Sequence, residues 1–229
     1  MADKEDVRDL FDDIAPNYDK LNHLLSFNID KTWRKKAIKQ LDKHTKKVLD
    51  VACGTGDLAI AAVKRGISEV YGIDISEKML EIGKEKIIKS GWQEKIHLQK
   101  GDSENISFDD NIFDAVTVAF GVRNFEHLET GLKEMNRVLK KEGKVVILEF
   151  STPSTFPMKQ LYAFYFKHIL PVIGGTVSKN KQAYQYLPDS VAHFPQGKDF
   201  LQIMHRCGYN NTSMKSLTFG IARIYTGFK

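Results

Sequence analysis

The sequence predicts an α/β fold around a mostly parallel sheet, and three observations carry that expectation. Apolar segments at residues 48–52, 69–74, 96–100, 112–119 and 144–150 alternate with helical patterns at 58–64, 77–89 and about 130–139. This rhythm is satisfied by parallel strands joined through crossover helices that cover both sheet faces. The run Val145-Val146-Ile147-Leu148 is apolar throughout instead of alternating, as a strand buried on both sides should be. Residues 211–217 and 220–227 then read as two closing strands, an antiparallel pair at the sheet edge. The sum is a seven-stranded, Rossmann-like sheet.

The flanking elements follow from spacing. Residues 1–45 read as an N-terminal helical cap. Val7, Leu10, Phe11 and Ile14 recur at helical intervals, Pro16-Asn17 stops that helix, and Asp30 is expected to cap another running through Trp33 to Leu41. After Phe150 the rhythm changes. Pro153 and Pro157 mark a loop, and residues 158–170 form a helical pattern rich in Tyr162, Phe164, Tyr165 and Phe166, ended by Pro171 and Gly174-Gly175. Tyr184, Tyr186 and Leu187 are expected to precede a helix at about 197–207. Residues 151–195 thus read as an inserted helical lid over the strand tips, and residues 1–229 as a single domain.

Composition narrows the function classes. The 229 residues carry 34 Lys and Arg against 29 Asp and Glu, a net charge of +5. The two signs are interspersed, so a nucleic-acid partner is not expected. The two cysteines, Cys53 and Cys207, form neither a disulfide framework nor a metal motif, which suits a reducing cytoplasm. The seven histidines show no H-E-x-x-H spacing, so no metal site is expected. The start is charged at Asp3, Lys4, Glu5 and Asp6, unlike a signal peptide, and no apolar run reaches the roughly 20 residues of a membrane span.

The chemistry centres on V48-L-D-V-A-C-G-T-G-D57. A strand that ends in Gly-x-Gly and opens a helix lets a ligand approach the main chain, and the helix start offers free N–H groups. The motif lacks the third glycine of the dinucleotide fingerprint. Alone it leaves a dinucleotide, S-adenosylmethionine (SAM) or a bare turn open. The second strand ends in Asp74, placed to accept from both ribose hydroxyls or, alternatively, to cap the next helix. Ser76 is the better cap. Thr55, Asp74, Asp102 and Phe120-Gly121 all fall at the carboxyl ends of strands, where open α/β sheets bind ligands.

These residues resemble those of the SAM-dependent C-methyltransferases of quinone biosynthesis, across nearly the whole chain. One family pattern is matched by Y18-D-K-L-N22-x-x-L25-S26-x-x-x-D30-x-x-W33. Leu21 stands where methionine is usual and Asp30 where histidine is usual. D50-V-A-C-G54-T55-G56-D57, G101-D102-S103-E104 and F120-G-V-R-N124 follow. A second pattern is matched by R137-V-L-K-K-E-G143-K-V-V-I-L-E149-F-S151, with Lys141-Glu142 expected to alter only a turn. The resemblance implies that Gly54, Thr55 and Gly56 hold the methionine part of SAM, Asp74 the ribose, and Asp102 and Ser103 the adenine. Alanine at 119 removes a hydroxyl that some members use on SAM.

It further implies methylation of the ring of a polyprenylated demethylmenaquinol to menaquinol, with the ubiquinone precursor 2-methoxy-6-polyprenyl-1,4-benzoquinol as the alternative acceptor. The catalytic candidates are Arg123, as stabiliser of a ring phenolate, and Asn124. A structural pairing of Arg123 with Glu149 is the competing reading. Tyr184, Tyr186 and His168 are acceptor-pocket or packing candidates. An isoprenoid acceptor implies peripheral contact with the inner face of the cytoplasmic membrane; the oligomeric state, a homodimer included, stays open. Other readings are a methyltransferase of RNA, a sterol or an amine, a SAM-binding accessory subunit, and an NAD-dependent oxidoreductase.

Overall fold

The computed structural model of the chain describes residues 3–165, residue 168 and residues 181–229, without the side chains of residues 25 and 181–185. Seven strands form one sheet: β1 (Lys47–Val51), β2 (Glu69–Asp74), β3 (Ile96–Lys100), β4 (Phe113–Ala119), β5 (Leu139–Phe150), β6 (Asn210–Leu217) and β7 (Ala222–Phe228). Their order is β3-β2-β1-β4-β5-β7-β6, with β7 antiparallel to both neighbours and the rest parallel.

Alternate residues of the central strands enter opposite cores. Leu49, Val116 and Ile147 pack on one face against Leu132 and Met135 of α6 (Leu128–Val138) and Phe200 and Met204 of α9 (Lys198–Arg206). Val48, Ala115 and Val146 pack on the other, against Trp33 and Ala37 of α3 (Ile29–Ile38) and Leu58 and Ala62 of α4 (Asp57–Lys64). Burial on both faces explains the continuous apolar strands, each such side chain contributing about 1.5–3 kcal/mol. The N-terminal helices α1 (Lys4–Ile14) and α2 (Tyr18–Leu25) are separated by a single 3-10 turn at Ala15–Asn17 and lie over the strand tips.

Two expectations need correction. Asp30 does not cap α3. That helix starts at Ile29 after a left-handed Asn28 (φ 60°) that makes no capping bond, and Asp30 is buried in its first turn. There Asp30 accepts from Arg34, from Ser26 Oγ at 2.7 Å and pairs with His23 Nδ1 at 3.0 Å, so an ion pair has taken over its carboxylate. β5 begins at Leu139 rather than 144. Phe113 pairs with Leu139 and Ala115 with Lys144, and the excursion between turns at Glu142 (φ 61°), a local change as expected for Lys141-Glu142. Tyr184, Tyr186 and Leu187 precede the helix expected at about 197–207, but they do so inside a further helix, α8 (Lys181–His193), that the spacing does not predict. Of the pattern at 158–170 the structure describes α7 (Met158–Phe164); Phe166, Pro171 and Gly174-Gly175 lie outside the described residues.

Gly83 of α5 (Glu77–Lys89) fixes how closely that helix approaches the glycine loop. A Cβ there would stand 2.7 Å from Leu98 Cδ1 and 3.2 Å from the Thr55 carbonyl carbon. Gly83→Ala should therefore cost about 1–3 kcal/mol through overpacking. Thermal unfolding checks this, and an unshifted midpoint would contradict the close approach.

Candidate active site

The carboxyl end of β1 enters its loop through left-handed residues: Ala52 (φ 50°), Gly54 (φ 52°) and Gly56 (φ 78°). This aims the Gly54 amide at β2, where it donates to Asp74 Oδ2 at 2.8 Å, while the Ser76 amide donates to Oδ1 at 2.9 Å. Ser76 Oγ accepts from Met79 N at 3.1 Å and caps α5, so the two roles weighed for Asp74 separate and capping belongs to Ser76. Burial raises the Asp74 carboxyl above its ordinary value, against the pull of these amides.

A cavity of about 70 Å³ opens there, lined among others by Gly54, Asp74, Ser103, Ala119 and Asn124. Ala119 brings it no hydroxyl. Asp102 sits beside it, its Oδ2 held by Lys4 Nζ of α1 at 2.7 Å and its Oδ1 by the Glu104 amide at 2.8 Å. The cavity is well below the roughly 300–1,000 Å³ of a small-molecule site, because α1 lies on it. Thr55 faces the other way. Its hydroxyl donates to Asp19 Oδ1 at 2.6 Å and accepts from Lys86 Nζ at 2.9 Å, which also reaches Asp19 Oδ2 at 2.6 Å and Asp57 Oδ1 at 2.7 Å. The glycine loop is thereby tied to α2 and α5.

A second cavity, about 570 Å³, shares Phe11, Tyr18 and Phe120 with the first. Its wall is largely aliphatic and aromatic, with two arginines. Arg34 lies over Phe120 at 5.3 Å, Phe120 stacks on Phe150 at 4.3 Å, and Arg123 lies over Phe150 at 5.4 Å. A cation thus stands at each end of a two-ring stack. Arg34 pairs with Asp30; Arg123 donates to the Phe120 carbonyl, to Glu149 Oε1 at 2.9 Å and to Ser190 Oγ at 3.3 Å. Glu149 is fully buried; desolvation raises its carboxyl while Arg123 opposes the rise. Tyr186 also lines this cavity and donates to Asn124 Oδ1 at 2.8 Å, linking the two chambers. Burial raises the phenol of Tyr18, which both arginines pull the other way.

The structure therefore brings Gly54, Asp74, Ser103 and Asn124 to one small cavity and Arg123 to the larger, with Asp102 adjoining and Thr55 and Gly56 behind the loop. The pairing of Arg123 with Glu149 is present, and Arg123 belongs to the cavity wall as well. His168 is exposed and packs on Phe164 at 5.0 Å; the Tyr184 side chain lies outside the described residues. Sequence reasoning passed over Lys86 and the Asp30–Arg34 pair. The second had a signal in its i,i+4 spacing; the first had none, since its partners come from distant segments.

Asp50 of β1 accepts from Thr117 Oγ1 at 2.8 Å, and burial pushes its carboxyl up to about 7 from 3.8. Between those values the folded chain keeps a proton that the unfolded chain has lost. The stabilisation is complete below the lower value and is lost as pH rises through the upper one. Asp50→Asn stays neutral, so its stability relative to the parent should improve across that window by on the order of 1 kcal/mol per pH unit. Denaturant melts of both proteins across the window check this; parallel pH profiles would contradict it.

Comparison with known proteins gives the family and the fold. The ubiE/COQ5 methyltransferase family matches residues 1–229. The demethylmenaquinone methyltransferase of Bacteroides fragilis is 48% identical over 98% of this chain and 93% of its own length. The ubiquinone/menaquinone biosynthesis C-methyltransferase UbiE of Geotalea daltonii is 49% identical over 98% of this chain and 97% of its own. In fold, the chain is similar to a SAM-dependent methyltransferase, possible histamine N-methyltransferase, of Thermotoga maritima (TM-score 0.69, 19% identity, 96% of this chain and 98% of that one). It is also similar to phosphoethanolamine N-methyltransferase 2 of Haemonchus contortus in complex with SAM (TM-score 0.63, 15% identity, 86% of this chain and 52% of that one). The glycine loop, the buried acid at the second strand tip and the match over the full chain lead to one conclusion: this chain is a SAM-dependent methyltransferase belonging to the ubiE/COQ5 methyltransferase family.

Proposed function

We propose that the chain methylates a ring carbon of a polyprenylated demethylmenaquinol to give menaquinol. The observation that carries this reading is the 570 Å³ apolar cavity that meets the strand-tip site at Phe11, Tyr18 and Phe120 with Arg123 in its wall. It suits an apolar ring with an isoprenoid tail. The Bacteroides relative's name supports the naphthoquinol over the benzoquinol.

SAM, when bound, supplies a methyl group on a positively charged sulfur. The residues that would hold it are Gly54, whose backbone lines the small cavity, with Thr55 and Gly56 shaping the loop from behind for the methionine part, Asp74 for the ribose, and Asp102 with Ser103 for the adenine edge. The chain's own share is positioning, worth about 7–11 kcal/mol when well oriented, and charge. A ring hydroxyl with a pKa of about 10 is ionised in only about one molecule in a thousand at neutral pH. The phenolate is the form whose ring carbon is nucleophilic. Arg123 stabilises that form, Asn124 and Tyr186 orient the acceptor beside it, and a bound water takes the proton. Arg34, at the far end of the Phe120–Phe150 stack, adds to the same positive field.

The acceptor resides in the bilayer, so the protein works peripherally at the inner face of the cytoplasmic membrane. Among the described residues no helix is long and apolar enough to cross it.

Labelled SAM supplied with a naphthoquinol and a benzoquinol acceptor tests the reading; transfer to RNA or an amine and to neither quinol would overturn it. Arg123→Ala should lower turnover about a hundredfold or more, with SAM affinity by calorimetry nearly unchanged. Arg123→Lys, which keeps the charge beside Glu149, should lose less. A fall in SAM affinity in step with rate would remove the catalytic role. The adenine edge must also displace Lys4 from Asp102. That partly exposed pair is worth little, so Lys4→Ala should tighten SAM binding by up to about fivefold; weaker binding would instead make Lys4 a ligand contact.

A further inference from the structure

Three phenylalanines stand in solvent around the mouth of the apolar cavity. Phe27, in the turn before α3, is 72% exposed; Phe156, ahead of α7, 81%; Phe219, between β6 and β7, 78%. Folding normally hides rings of this size. Two of them also hold backbone angles that side chains resist: Phe27 (φ 52°) beside Asn28 (φ 60°), and Phe219 (φ 56°) beside Thr218 (φ 43°). Such strain persists only where its surroundings over-determine it, and it gathers at ligand clamps.

The three loops are laced together. Trp33 Nε1 donates to Thr218 Oγ1 at 2.8 Å, and Ser151 Oγ donates to the Gly220 carbonyl at 2.6 Å. Phe27, Leu161, Phe164, Thr218 and Ile221 line the cavity itself. Between the loops, α7 buries none of its residues and leaves Leu161 and Phe164 each 57% exposed.

The charge on these three loops is one-sided. Residues 26–34, 151–165 and 215–223 hold a single acid, Asp30, which is buried under Arg34, while Lys31, Lys159 and Lys215 are exposed. Acids return on the α1 wall of the cavity, where exposed Asp9 and Asp13 flank Leu10 and Ile14. We propose that the rim docks the protein on an anionic bilayer, with the phenylalanines entering the acyl–headgroup boundary, the lysines meeting lipid phosphates, and the cavity mouth opening toward the membrane. This rests on the acceptor being an isoprenoid quinol. A second copy of the chain is the weaker occupant, because two basic rims placed face to face repel.

Co-sedimentation with vesicles of phosphatidylcholine, with and without phosphatidylglycerol, tests it on the full chain. The wild type should partition onto the mixed vesicles. Phe156→Ser with Phe219→Ser should weaken that partitioning at least about tenfold, and Lys159→Glu with Lys215→Glu should abolish the preference for phosphatidylglycerol. Neither pair lines the cavity, so methylation of a short-tailed, water-soluble quinol should be unchanged, while methylation of a vesicle-borne acceptor falls. Unaltered partitioning in both variants, or no partitioning of the wild type, would overturn the docking surface. So would a wild-type dimer in light scattering that Phe156→Ser with Phe219→Ser dissociates. Partitioning that follows these variants without methylation of any quinol would leave the rim standing and remove the proposed substrate.

Discussion

An apolar cavity that must hold positive charge can keep it only by pairing every cation. The cost of an unpaired guanidinium in such a wall is several kcal/mol. Arg123 is held by a fully buried Glu149 and Arg34 by a nearly buried Asp30, and each guanidinium also lies on an aromatic ring. The pairing and the stacking fix where the charge sits before any acceptor arrives. This is what electrostatic stabilisation of a developing phenolate needs, since a preset charge costs no reorganisation during reaction. The Arg123–Glu149 contact and a role for Arg123 in chemistry are therefore compatible: the carboxylate makes the cation affordable without removing it from the wall.

The N-terminal cap belongs to the site more than a cap need. α2 supplies Tyr18 to both cavities and Asp19 to the Thr55 hydroxyl; α1 supplies Lys4 to Asp102 and Asp12 to Ser76. Each contact ties a helix outside the sheet to a strand-tip residue. α1 and α2 are thus tied to the strand tips through polar contacts, several of them partly exposed and individually weak. The strand tips themselves are held by backbone geometry and by the buried central strands.

Most of the sheet was legible because burial on both faces leaves a plain mark. β1 and β4 lie within a residue of their apolar runs, and α5 spans the residues expected of it. Legibility failed where a distant group redirected a local preference. Asp30 has the chemistry of an N-cap, but Arg34 one turn on and His23 from another helix outbid the backbone amides for its carboxylate. Leu139 starts β5 early because β4 offers Phe113 as a partner before the bulge, which no turn signal in Lys140–Gly143 reveals. Gly54, Asp74 and Arg123 were legible as groups at strand ends, and the structure places each in a cavity wall. Lys86 was not, since its value lies in Asp19, Thr55 and Asp57 meeting it from three segments.

The junction of the two cavities explains why aromatic residues dominate it. On the proposed function, a sulfonium donor and an apolar acceptor would meet here with water kept out. Phe11, Tyr18 and Phe120 line both chambers, and Phe11 and Tyr18 meet edge to face at 6.0 Å. Flat rings exclude water over a large area with few rotatable bonds, and their faces favour a nearby cation. Tyr18 adds a hydroxyl between two arginines, the only polar group of the three at the crossing. A junction built of aliphatic side chains would exclude water as well, but it would offer neither π faces nor a hydroxyl.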